Sequence, residues 1–151
     1  GELAEGESIY FNENEVGKVL IEKDYPFVIE SIEKVGNNKI NSNIFLNLKY
    51  LKKANHSSNK TVYNLKLDSK LDKKIISKDS KGDPLIFEIK VTTIITILKE
   101  NEEILLSQTI SNKINYDNIE DKFELIKYEN SLIANLSSIV GERILSILSS
   151  I

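Results

Sequence analysis

Residues able to do chemistry are few in this chain of 151 residues, and they are badly spaced for it. Histidine occurs once, as His56, in a loop of Ser, Asn and Lys with no carboxylate or second ligand nearby. Cysteine does not occur at all. A His/Cys zinc site therefore cannot be built, and disulfides and thiol nucleophiles are excluded. A Ser-His-Asp arrangement would have to recruit a loop histidine, and no serine is flanked by the glycines of a nucleophile elbow. The bland reading of His56 is a solvated loop residue. Carboxylates are plentiful but scattered. Their one cluster, Asp117, Glu120, Asp121 and Glu124, falls at the start of the last helical pattern, where negative charge favours the helix dipole and oxygens satisfy orphan N–H groups. Phosphate-loop and dinucleotide fingerprints are lacking, as is the aromatic and basic interleaving that stacks nucleotides. The sequence predicts a protein that is not an enzyme, with no cofactor, no metal and no nucleic-acid partner. Sequons at Asn55, Asn59 and Asn135 read as chance in a chain this rich in Asn and Ser.

Lysines form the remaining polar signal. The formal net charge of −3 hides three unequal zones. Residues 1–35 carry three lysines against nine acids, residues 36–81 eleven lysines against three aspartates, and residues 82–151 six bases against eleven acids. A basic middle third could face an anionic partner, although a solvated lysine face is the commoner cause.

The elements that would position these residues follow from periodicity. Residues 1–26 read as a flexible lead-in with a possible short strand from Val16 to Ile21, and residues 27–151 as one domain. No apolar run approaches the roughly 20 residues of a bilayer span, so the chain is expected not to cross a membrane. Phe27 to Glu33 reads as a strand closed by Gly36. Asn41 or Ser42 is the expected cap of a helix reaching about Lys53, its stripe formed by Ile44, Leu48 and Leu51. Tyr63, Leu65, Leu67 and Leu71 then alternate with polar residues, as in a half-buried strand. After a turn at Lys78 to Pro84, Leu85, Phe87, Ile89, Val91, Ile95 and Ile97 share one face, and Glu88, Lys90, Thr92 and Thr96 take the other. A strand of this length should project past the helices. Ile104, Leu106, Ile110, Ile114 and Tyr116 line the core face of the last strand. A long amphipathic helix closes the chain, with Leu132, Ile133, Leu136, Ile139, Val140, Ile144, Ile147 and Ile151 on its apolar side. The expected fold is α+β, an antiparallel sheet of about four strands with two helices packed on one face in the order β-α-β-β-β-α. Leu65, Phe87, Ile89, Ile95, Ile110 and Ile114 should meet Leu136, Val140 and Ile144 in the core.

From Phe27 onward, the element order and several strings resemble the LPS-assembly lipoprotein LptE family, in its alphaproteobacterial-like branch. The strongest stretch is Ser111-Asn112-Lys113-Ile114-Asn115-Tyr116, then an acidic turn, Phe123 with Leu125, and Glu129-Asn130 in a long striped helix. Lys78-Asp79 and the turn to Pro84, followed by the Thr-rich run from Ile89 to Leu98, look like the family's central hairpin. The resemblance implies a small outer-membrane lipoprotein facing the periplasm. Such a protein plugs and supports the LptD β-barrel translocon and is thought to bind lipopolysaccharide. Family members begin at a lipidated cysteine. With none here, the expected membrane association rests on an N-terminal anchor lying before Gly1. Because barrel lumens are polar, the row Glu88, Lys90, Thr92 and Thr96 is the candidate barrel interface. Lys73, Lys74, Lys78 and Lys81, at the far end of the hairpin, are the candidate contacts to lipopolysaccharide phosphates. The competing reading is a free extracytoplasmic ligand-binding or adaptor module built on the same sheet and helices.

Overall fold

The structure, a computed structural model, describes residues 24–52 and 59–151. The lead-in through residue 23, including the expected strand at Val16 to Ile21, lies outside the described residues, as does the loop carrying Asn55 and His56. The β-branched run after Pro26 forms β1 (Phe27–Gly36). Gly36 ends it at φ +88°, where a Cβ would collide with the Ser69 carbonyl oxygen. Glycine is therefore required twice over, by conformation and by close approach. The next residue converts the bend into a helix start. Asn37 Oδ1 accepts from the Ile40 N–H at 2.9 Å and caps α1 (Asn38–Leu48), which runs into a 3-10 turn at Lys49–Leu51. The cap expected at Asn41 or Ser42 is thus a turn too late. Asn41 is buried inside the first turn, and its Nδ2 donates to the Val35 carbonyl at 2.9 Å.

Three long strands follow, β2 (Thr61–Lys78), β3 (Pro84–Lys99) and β4 (Ile104–Asp117), and the sheet order is β1-β2-β3-β4. β2, β3 and β4 form the expected antiparallel meander. β1, however, lies parallel to β2, with Phe27 opposite Thr61 and Gly36 opposite Ser69. This corrects the all-antiparallel expectation. The cause is α1, which returns the chain from the end of β1 to the start of β2, and a strand-helix-strand crossover leaves its two strands parallel. The sheet is mixed, and the α+β class stands.

One apolar cluster holds the layers together. It joins Leu65, Phe87, Ile89, Ile95 and Ile110 of the sheet to Leu136, Val140 and Ile144 of α2 (Lys122–Ser150), and to Ile40, Ile44 and Leu48 of α1. Thr93 belongs to the inward row and is fully buried, its hydroxyl paired with that of Ser69 at 2.8 Å. Two hydroxyls that satisfy one another remove most of the cost of burying them. Five residues expected on the apolar faces fall outside; Leu85, Ile104 and Ile151 are exposed at the ends of their elements, and two more lie within theirs. Ile114 has the inward parity, opposite Ile89, but sits on the edge strand and is 40% exposed. Ile139 is 47% exposed, because the buried arc of α2 is centred on Leu136, Val140 and Ile147, and Ile139 falls beyond its margin.

α2 begins where Asp121 accepts from the N–H groups of Phe123 (2.9 Å) and Glu124 (3.2 Å). By length and composition alone α2 could cross a membrane, a difference from the sequence reading. Its apolar arc is nonetheless part of the core, and the helix carries the charged Glu129, Glu142 and Arg143 along its length. The long ribbon also differs from expectation. It outruns β1 and α1 but not α2, whose approach is tied to β3 by the Asn118 N–H on the Leu85 carbonyl at 2.9 Å.

Candidate interaction surfaces

With both helices on one face, the other face of the sheet carries no helical layer among the described residues. β3 runs through its middle, so every second residue from Glu88 to Thr96 points outward. The structure therefore brings Glu88, Lys90, Thr92 and Thr96 into one row, as the alternation predicts. Glu88 is mostly covered and lies between Lys74 Nζ and Lys113 Nζ, each at 3.7 Å. Thr92 bonds to Ser111 Oγ at 3.1 Å and Thr96 to Ser107 Oγ at 3.3 Å. These cross-strand pairs fix side-chain rotamers and present an ordered rank of hydroxyls. Ile94 stands among them and is exposed. Sequence reasoning passed over it, although the parity running from Glu88 to Thr96 places it in the row. An apolar residue amid hydroxyls and charges gives the face a contact point that need not be shared with water.

The four hairpin lysines are not brought together. Lys73 and Lys74 are adjacent in a strand and so point to opposite faces. Lys73 lies on the helix side, 2.8 Å from Glu129 Oε2 and 4.3 Å above the centre of the Phe87 ring. Lys74 lies on the open side with Glu88. Lys78 ends β2 and is exposed, and Lys81 is exposed in the tip, where Asp79 Oδ1 accepts from the N–H groups of Lys81 (2.8 Å) and Asp83 (2.9 Å). Strand parity was the signal that could have separated them. Of the acidic cluster, Asp121 is accounted for by the cap. Among the described residues no group of three His, Asp or Glu side chains could hold a metal ion.

At the opposite end of the sheet, where β2 begins and β3 ends, a cleft of about 610 Å³ opens between Tyr63, Lys99, Leu105 and Ile151.

Among the described residues these features define an α+β class: a four-stranded mixed sheet, two helices on one face, and the other face polar and without a helical cover. Solved structures of this kind exist. The chain is similar in fold to rare lipoprotein B from Shewanella oneidensis, with a TM-score of 0.57 at 13% identity over 80% of this chain and 95% of that one. It is also similar to lipoprotein B from Nitrosomonas europaea, with a TM-score of 0.60 at 14% identity over 88% and 91% of the two chains. A minor lipoprotein from Acinetobacter baumannii matches with a TM-score of 0.55 at 12% identity, over 77% and 89%. At such identities the likeness establishes the fold. No protein-family profile and no curated protein sequence matches the chain.

Proposed function

We propose that this chain is the folded domain of an envelope lipoprotein of the LptE kind, lipid-anchored at the outer membrane on the periplasmic side, without catalytic activity, which plugs and supports an LptD-like β-barrel. The open sheet face carries the reading. A plug must meet a polar barrel wall, and a rank of ordered hydroxyls and flanked charges on a stiff sheet supplies hydrogen-bonding partners without large apolar patches. The sequence resemblance supports it independently, and so does the fold shared with solved bacterial lipoproteins. Lipopolysaccharide binding is the second half of the proposal. It would fall to Lys74, Lys78 and Lys81, since Lys73 is held by Glu129 and Phe87.

The test is site-specific photocross-linking during co-expression with the outer-membrane barrel. Cross-linkers at Thr92 and Thr96 should label the barrel, whereas those at Ser138 and Glu142, on the helix layer, should not. Labelling from the helix positions alone would reject the plug orientation, and a complex that never carries lipopolysaccharide would reject the second half. The alternative, a free extracytoplasmic ligand-binding module, is favoured by the cleft beside Tyr63. It predicts a monomeric periplasmic pool with no barrel attached.

A further inference from the structure

Both layers that flank α2 and β2 stop at one level. β1 ends at Gly36, opposite Ser69, while β2 continues to Lys78. Among the described residues no strand pairs with β2 on that side from Lys70 onward. α1 begins at Asn38, and Lys39 Nζ bonds to Asn130 Oδ1 at 2.7 Å, so among the described residues the earlier turns of α2 have no helix beside them. Gly141, packed against Asn47 of α1, is buried. Phe123, five helical turns before it on the same stripe, is 68% exposed. Ile126, seven residues ahead of the buried Ile133, is 55% exposed. Across the step, Ile75 of β2 is 43% exposed.

The edge is charged as well as bare. Lys70 to Lys78 holds four lysines and one aspartate, a net of +3. Lysines on an open edge discourage pairing with another copy of the same edge, because two such strands would set like charges side by side. They do not discourage an acidic strand. β1 shows what the lane accepts: Ile32 packs toward the core while its neighbour Glu33 sits in register with Lys66 on the other face.

We propose that this step is a docking site for an extended polypeptide segment in which apolar and acidic residues alternate, added as a strand to β2 in line with β1. Its backbone would pair with Lys70 to Lys78. Its apolar side chains would lie between Ile75 and the exposed Ile126 and Phe123, and its carboxylates would lie beside Lys70 and Lys74 on the open face. Main-chain bonding would provide affinity and the alternation would provide selectivity.

The full chain, isotopically labelled, would be titrated with a capped peptide of about ten residues alternating Val and Glu, and with its Val and Lys counterpart. The acidic peptide should bind at least roughly tenfold more tightly and shift amides within 70–78 and 123–130. Lys70→Glu and Lys78→Glu together, which leave the Lys74–Glu88 pair intact, should abolish the preference while leaving the melting temperature nearly unchanged. No binding, equal affinity for the two peptides, or shifts confined to β4 would overturn the proposal. So would a dimer formed through the same edge that the acidic peptide fails to dissociate.

Discussion

The phenol of Tyr116 donates to Glu129 Oε2 at 2.6 Å, and the same carboxylate oxygen holds Lys73 Nζ at 2.8 Å. One buried ring thereby joins the last strand, the last helix and the central hairpin, with Phe87 5.7 Å and Tyr128 6.0 Å away between ring centres. Burial first, then the hydrogen bond and charge of Glu129, push the phenol's pKa above its ordinary value of 10.0. Below that pH the unfolded phenol is also protonated, so Tyr116 gives stability no pH dependence. Above it the unfolded chain ionises while the folded one keeps its proton, and the contribution falls as pH rises through the folded pKa. Tyr116→Phe should therefore cost about 1.5 kcal/mol at neutral pH, the low end for a bond to a charged group because Lys73 keeps Glu129 paired. The deficit should shrink as urea titrations are taken from about pH 9 to pH 11, and a constant gap would contradict this account. At this scale the sequence was legible in part. Tyr116 was correctly placed on the core face and Thr92 and Thr96 on the open one, because alternation is local. The partner of Lys73 was not legible, because Glu129 is supplied by a helix whose approach no local pattern encodes.

Elements begin and end here on single residues whose contacts lie far along the chain. Gly36 and Gly82 have nearly the same backbone, φ +88° and +89°, but different surroundings: Ser69 abuts the first, and nothing lies within 4 Å of the second. Alanine at Gly82 should cost only the left-handed conformation, about 1 kcal/mol. Alanine at Gly36 adds a collision with backbone at the β1–β2 seam and should cost about 3 kcal/mol. Equal losses in chemical denaturation would mean that the seam yields freely. The same residues explain what the sequence showed of the elements. Strand and helix identities followed from period for all four strands and both α-helices among the described residues, but their limits did not all follow. The start of α1 was misplaced because Asn37, Asn41 and Ser42 are all able caps, and the choice is made by the bend at Gly36 and the Asn37 N–H on the Ser69 carbonyl at 2.8 Å.

For the whole molecule, the layer arrangement was readable from the sequence and the direction of β1 was not, since periodicity says which face of a strand is buried but not which neighbour it takes or in which sense. That direction has a kinetic consequence. The meander closes through turns of a few residues, Lys78 facing Pro84 across one of them, whereas Phe27 meets Thr61 only after the chain between them closes a much longer loop. Chain-closure entropy makes the longer loop dearer by roughly 1.5 kcal/mol, and that cost falls before the parallel contacts reward it. β1 should consequently join a meander already formed. Ile29→Val, in β1, should speed unfolding while leaving the folding rate nearly unchanged, whereas Ile95→Val, in β3, should slow folding. Stopped-flow chevrons that showed the reverse would mean that β1 and α1 nucleate the domain. If the order holds, the seam at Gly36 is the last part of the protein to close and the first to open.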